Sequence, residues 1–278
     1  MVKRIITAIV AVAILLPVIY FSDTFVFPFF AFLCTLIAVI EMLKCCGLLR
    51  KWGLSVPFIA LSVTPILCWL WRETQALLPA AMVTLLVLAL YLFALVVFSH
   101  GKIQLQDVCI AFLTCFYIIA AFTCIVYLRY LENVGQYVYL ICFIGAWITD
   151  IFAYFAGRLF GKHKLIPEVS PKKTMEGSIG GIVFCILSML LFGFIINRIA
   201  KDTLSANYLV LAISGLFVSV VSQIGDLTMS AVKRHYGIKD FGKIFPGHGG
   251  MLDRFDSVMA VAVVLTAITS VTDLFTVL

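Results

Sequence analysis

The chain has 278 residues, of which 63% are hydrophobic and 12% are charged, and its formal net charge is +6. A soluble domain of this length cannot bury so much apolar surface, so the composition excludes a water-soluble globular protein and indicates an integral membrane protein. We attribute the positive charge to loops beside anionic lipid, not to nucleic-acid binding.

Nine apolar blocks of about 20 residues are each long enough to cross a bilayer as a helix. They are expected at residues 5–21, 25–42, 54–71, 77–98, 108–128, 134–155, 177–197, 204–224 and 257–277. The fold class is therefore predicted to be all-α, a polytopic membrane protein with two long cytoplasmic loops. No Ala-x-Ala cleavage site follows the first block, so we expect a retained helix and not a cleaved signal peptide.

Lys and Arg concentrate on alternate connections, as they do in the cytoplasmic loops of membrane proteins. With the N-terminus inside, sixteen of the twenty basic residues fall on the cytoplasmic side, and only Arg72, Arg129, Arg198 and Lys201 fall on the other. This bias predicts that both long loops, residues 157–176 and 226–254, face the cytoplasm.

The two halves of the chain differ in their polar content. Residues 1–140 show apolar spans with short connections and no recognisable motif, whereas residues 141–278 contain both long loops. We therefore predict a catalytic region at residues 141–278.

Seven of the nine cysteines lie within apolar spans, which argues against a disulfide framework.

The first long loop combines a carboxylate with hydroxyls and ammonium groups. Asp150 lies at the edge of the sixth span, where an unpartnered carboxylate costs a few kcal/mol, so it is a site candidate. Ser170, Lys172, Lys173 and Thr174 precede a predicted helix start, where unpaired N–H groups suit a phosphate. A helix cap with a positive-inside anchor explains the same residues equally well.

The second long loop has helical spacing and glycines together. Asp226, Ser230 and Lys233 are spaced i, i+4, i+7, so they share one face if the eighth helix continues beyond the membrane. The glycines around His248 could form a backbone nest for an anion. A single acidic residue at a helix start is ordinary, because it interacts favourably with the helix dipole. Asp253 and Asp256 at the start of the last span, together with Asp226, instead suggest hard oxygen ligands for Mg2+.

The second loop resembles the signature of the phosphatidate cytidylyltransferase family, also called CDP-diacylglycerol synthase, and shows no departure from it. The matching residues are Ser230, Lys233, Arg234, Lys239, Asp240, Gly242, Pro246, His248, Gly249, Gly250, Asp253, Arg254 and Asp256. Residues 150–181 and 223–227 also resemble the family, so the resemblance covers roughly the last half of the chain.

The resemblance implies that CTP and phosphatidate give CDP-diacylglycerol and pyrophosphate, with Mg2+ required and a second cation left open. It also implies a homodimer and a site open to the cytoplasm, and the chain length suggests a bacterial inner membrane. The implied metal ligands are Asp226 and Asp253. The implied catalytic residues are Asp226, Lys233, His248, Asp253, Arg254 and Asp256. The implied substrate-binding residues are Asp150, Ser170, Lys172, Lys173, Thr174, Glu176, Ser230, Arg234, Lys239, Asp240, Gly249 and Gly250.

Two alternatives remain at this point. An ion-coupled carrier could line its pathway with Glu41, Asp150, Asp226 and Asp273, although the polar groups crowd one face of the membrane. A related lipid or polyprenol kinase would use similar phosphate chemistry.

Overall fold

The computed structural model describes residues 10, 13–74, 77–247 and 249–278. The chain folds as two units. The first comprises Met1–Tyr130 and Tyr236–Arg254, and the second comprises Leu131–His235 and Phe255–Leu278.

The first unit is built from apolar helices, since a helix satisfies all its backbone polar groups internally within lipid. Residues 13–20 are helical. The following helices are α1 (Val26–Cys45), α2 (Trp52–Leu61), α3 (Thr64–Leu70), α4 (Leu77–Phe98) and α5 (Leu105–Arg129). Helix α1 packs against α5, and both bury small or apolar side chains such as Ala38 and Cys115.

The predicted third span, residues 54–71, is two helices and not one. Pro65 lies in the first turn of α3, where its missing N–H is tolerated, and Pro57 lies inside α2. Proline removes a helical hydrogen bond and clashes with the preceding turn, so the chain breaks between the two helices at Ser62 and Val63.

The second unit contains three long helices and two small sheets. Its elements are α6 (Gly135–Phe160), β1 (Lys164–Ile166), β2 (Ser170–Thr174), α7 (Met175–Ile199), β3 (Leu204–Ala206), α8 (Tyr208–His235), α9 (Leu252–Thr269, which begins in the first unit) and β4 (Phe275–Val277). Helix α6 packs closely on α7, and the rings of Phe152 and Phe184 stack with centroids 3.9 Å apart. A Cβ at Gly180 would collide with the Cβ of Ala156, so glycine permits the close approach of these helices.

Both sheets are short antiparallel pairs that the sequence did not predict. Strand β1 pairs with β2 through Lys164 and Thr174, and β3 pairs with β4 through Ala206 and Phe275. The predicted ninth span, residues 257–277, is wrong in its bounds, because α9 starts at Leu252 and ends at Thr269. The remaining residues turn back to pair with β3.

Among the described residues, seven segments are long and apolar enough to cross a membrane. They are Val26–Cys45, Trp52–Leu70, Pro79–Phe98, Leu105–Arg129, Gly135–Phe160, Met175–Ile199 and Tyr208–His235. These segments confirm an all-α polytopic fold, and they confirm the second and the fourth to seventh predicted spans as single helices. The third predicted span is formed by α2 and α3 together, and the eighth is wrong in its bounds, because α8 runs from Tyr208 to His235. Most of the first predicted span lies outside the described residues, and α9 has three charged residues near its start, so nine crossings are not confirmed.

Candidate active site

A cavity of about 300 Å³ lies in the second unit, between α6, β2, α7 and α8. Its lining includes the predicted site residues Asp150, Lys172, Lys173, Thr174 and Asp226. The loop that β2 closes therefore brings cationic and acidic side chains, far apart in the sequence, to one cavity. This is the mixture of charges expected of a phosphate site with a metal ion.

An ion pair crosses this cavity from β2 to α8. Lys173 Nζ lies 2.5 Å from Asp226 Oδ2, and the two side chains are 24% and 27% exposed. Within the part of the chain that the structure describes, the ammonium has no hydrogen-bond partner of regular geometry, so the contact is electrostatic. Ser230, one turn after Asp226 on α8, donates to Asp226 Oδ1 at 3.4 Å. The predicted shared face of Asp226 and Ser230 is confirmed.

The end of β2 caps α7. Thr174 Oγ1 accepts a hydrogen bond from Gly177 N at 3.1 Å, and a Cβ at Gly157, Gly161 or Gly177 would lie within 3 Å of that hydroxyl. An N-cap residue satisfies an otherwise unpaired N–H of the first turn. The hydroxyl oxygen of Thr174 thus caps α7, as the capping interpretation of this residue expects.

Glu176 ties the start of α7 to the preceding loop. Its carboxylate accepts from Lys162 N at 3.1 Å and His163 N at 3.3 Å, and it lies 2.7 Å from His163 Nδ1. These contacts fix the connection between α6 and β1. They assign Glu176 to loop structure in addition to its predicted role in substrate binding.

Acidic side chains converge in the second unit. Burial raises the pKa of Asp256, near the start of α9 and outside the seven membrane-crossing segments, to about 7; the charges of Asp226 and Asp150 add to this shift. Ser257 donates to Asp150 Oδ2 at 3.2 Å. Each of these carboxylates disfavours the negative charge of its neighbours. A divalent cation would neutralise that charge, and carboxylate oxygens are the hard donors that it prefers.

The part of the chain that the structure describes contains no group of three His, Cys, Asp or Glu side chains already arranged as a metal site. The donor chemistry around Asp226 nevertheless fits a cation that keeps several waters, as Mg2+ does. Lys233 and Arg234 lie in the last turn of α8, where their charges also favour the helix C-terminus.

A second cavity, of about 690 Å³, lies in the first unit. Its lining includes the predicted residues Lys239, Asp240 and Arg254, together with Lys243. Three cations around one cavity suit an anionic ligand such as a phosphate.

The glycine loop beside this cavity is closed by its own backbone. Phe245 N donates to Gly249 O at 3.0 Å, and Gly249 N donates to Phe245 O at 3.1 Å. Gly247 and Gly249 have φ of +81° and +91°, a conformation that favours glycine. The N–H groups of Gly249 and Gly250 have partners within the loop, so the predicted anion nest has no free donor there. His248, also predicted for the site, lies outside the described residues.

Asp253 and Glu41 hold this loop from within the first unit. Asp253 is 7% exposed, and its Oδ2 accepts from Phe241 N and Gly250 N, both at 2.9 Å. Glu41, on α1, is 6% exposed and accepts from Met251 N at 3.1 Å and Leu252 N at 3.0 Å. The sequence indicated Glu41 only as a pathway residue of a carrier, although an isolated acid in an apolar span was the signal for a partner.

Comparison with known proteins gives one consistent result. A family model described as the cytidylyltransferase family matches residues 2–272. The chain is 34% identical to a phosphatidate cytidylyltransferase of Staphylococcus haemolyticus over 259 residues, which is 93% of this chain and 95% of the relative. It is 44% identical over 150 residues to the phosphatidate cytidylyltransferase of Bacillus subtilis, covering 54% of this chain and 53% of the relative. A phosphatidate cytidylyltransferase of Staphylococcus aureus is 32% identical over 259 residues, again 93% of this chain and 95% of the relative.

Proposed function

The chain belongs to the cytidylyltransferase family, and on that premise we propose that it transfers the cytidylyl group of CTP to phosphatidate. The products are CDP-diacylglycerol and pyrophosphate. The observation that carries this proposal is similarity over 93% of the chain to relatives that bear the name of this activity. The cavity that joins Lys172, Lys173 and Asp226 supplies charges suited to it.

Magnesium is the proposed cofactor, with Asp226 and Asp253 as its ligands. Asp256 and Asp226 repel one another as like charges. A cation bound between these carboxylates would offset their repulsion, which favours its binding there. A second cation remains part of the proposal. Bound Mg2+ would neutralise the phosphates of CTP and the pyrophosphate that leaves.

The chemical step needs positioning more than proton transfer. A phosphatidate oxygen is already ionised at neutral pH, so it can attack the α-phosphorus of CTP without a general base. The new bond joins that oxygen to the α-phosphorus, and the electron pair of the broken bond leaves with pyrophosphate. We assign Lys172 and Lys173 to binding phosphate, and Lys233, Arg234, Lys239 and Arg254 to the lipid headgroup and pyrophosphate.

The remaining predicted residues support these contacts. Asp150, Ser170, Thr174, Glu176, Ser230, Asp240, Gly249 and Gly250 are proposed for substrate binding, and His248 is proposed for the catalytic group without an assigned proton transfer. Several of them act through backbone or side-chain hydrogen bonds that shape the two cavities.

The protein is an integral membrane protein, since seven described segments can cross a bilayer. We propose that it lies in a bacterial inner membrane, with the site facing the cytoplasm where CTP is available. The basic residues of both long loops support this orientation. A homodimer is proposed from the family resemblance.

Purified protein in detergent micelles that contain phosphatidate, labelled CTP and Mg2+ tests the proposal. We expect a labelled lipid product, and we expect Asp226→Asn to abolish it while the exposed Asp202→Asn variant retains it. An inactive wild-type protein that instead moves solute across sealed vesicles would support the carrier. Full activity of Asp226→Asn would overturn the metal-ligand assignment.

A further inference from the structure

Glu41 is a carboxylate buried within a membrane-crossing segment of the first unit. Such a group is costly unless it is hydrogen-bonded. Its two oxygens accept from consecutive backbone donors, Oε1 from Met251 N and Oε2 from Leu252 N. These donors lead into helix α9, so Glu41 caps the helix start with a side chain distant in sequence.

The glycine loop wraps closely around this carboxylate. A Cβ at Gly242 or at Gly250 would collide with Glu41 Oε1. All three of the nearest atoms to such a Cβ at Gly250 belong to the Glu41 carboxylate, and Gly250 does not have a positive φ. Close approach to Glu41, and not backbone conformation, is therefore what requires glycine at position 250.

Asp253 follows Leu252 directly in the chain, and its carboxylate also binds backbone N–H groups of the loop. Its Oδ2 accepts from Phe241 N and Gly250 N, so it clamps the two ends of the loop that Glu41 supports. A shift of Met251 and Leu252 would displace Asp253 directly, because these residues are contiguous. The position of Asp253 thus depends on the carboxylate from α1.

We propose that Glu41 is a positioning residue that sets the place of Asp253 through the loop of residues 241–252. This inference rests on the proposed function for its catalytic consequence, because Asp253 is a proposed ligand of the cation. It gives the apolar first half of the chain a specific part in the reaction. Both carboxylate oxygens of Glu41 already accept hydrogen bonds from backbone N–H groups, which disfavours Glu41 as a residue that lines the pathway of a carrier.

The substitution Glu41→Gln tests the proposal with little change in volume. An amide nitrogen would face one of the two N–H donors, so one hydrogen bond is lost and the loop moves. We expect the Mg2+ concentration for half-maximal activity to rise about tenfold or more, the scale of one lost charged contact. The exposed Glu132→Gln variant is the matched control and should leave this concentration unchanged.

Hydrogen exchange provides a readout that does not depend on activity. In Glu41→Gln, the amides of Met251 and Leu252 should exchange faster than in the wild-type protein, without a matching change at α7. If the wild-type protein makes no CDP-diacylglycerol, the proposed function fails. Unchanged exchange at both amides would instead show that Glu41 does not hold Met251 and Leu252, and would overturn the proposal.

A double-mutant cycle provides a second test if Glu41→Gln folds poorly. Gly250→Ala alone should lower the melting temperature by collision with the Glu41 carboxylate, whereas Gly250→Ala added to Glu41→Ala should lower it no further. Additive losses of melting temperature would show that the two residues do not meet and would overturn the proposal. A loss of thermal stability in Glu41→Gln with unchanged Mg2+ dependence would show that Glu41 serves only the fold, and would also overturn it.

Discussion

Replacement of Lys173 by Gln separates phosphate binding from membrane anchoring. The Lys173 ammonium lies 2.5 Å from Asp226 Oδ2, with both side chains about a quarter exposed. A pair at this exposure contributes about 0.2 to 1 kcal/mol to stability, so the melting temperature should change little. If the ammonium binds a substrate phosphate, the lost charge-assisted contact is worth about 1.5 to 3 kcal/mol.

That contact energy corresponds to a fall of about 10- to 150-fold in kcat/KM. The assay is initial rate against CTP concentration in mixed micelles of phosphatidate, with membrane insertion checked separately. Lys172→Gln is the neighbouring comparison, because Lys172 lines the same cavity but lies on the exposed side of β2. We expect a smaller loss there, because no ion pair with another described residue holds the Lys172 side chain in the cavity.

Arginine substitution distinguishes the two explanations further. Membrane anchoring requires only positive charge, so Lys173→Arg should then be fully active. Phosphate binding by a compact ammonium predicts a partial loss, since guanidinium differs in shape and hydration. Unchanged kinetics in Lys173→Gln and Lys172→Gln, with correct insertion, would refute substrate binding by this segment.

Three further predictions concern charge, capping and orientation. Asp256→Asn should raise the melting temperature by removing a carboxylate charge that is disfavoured first by its burial and then by the charge of Asp226, while transferase activity collapses; a lower melting temperature would contradict this account. Thr174→Ala should cost about 1 kcal/mol of stability by loss of the N-cap, and Thr174→Ser should restore it, as thermal unfolding can measure. Cysteines placed at His163 and Lys243 should react with an impermeant reagent in intact cells only after permeabilisation, and labelling from outside would overturn the topology.

The apolar blocks predicted most of the helices, because lipid leaves the backbone few alternatives. Their ends were less predictable. Helix α8 continues through Lys233 to His235, as the i, i+4, i+7 spacing of its polar residues indicated. Strands β3 and β4 were missed because they pair across a long stretch of chain, so local pattern carries no signal for them.

The candidate site was predictable by residue type but not by partner. The sequence indicated Lys173 and Asp226 separately, and their ion pair depends on packing between β2 and α8. The glycines near His248 suggested an anion nest, whereas the N–H groups of Gly249 and Gly250 serve the loop itself. Glu41 was the clearest omission, because an acid in an apolar span predicts that a partner exists without identifying it.

The position of the transferred phosphorus tests the central proposal most directly. Purified protein should be incubated with phosphatidate, Mg2+ and CTP labelled either at the α-phosphorus or at the γ-phosphorus. Cytidylyl transfer predicts that the α label enters the lipid and the γ label appears in pyrophosphate. A γ label in the lipid, as a lipid kinase would give, or no label in the lipid from either substrate, would contradict the account.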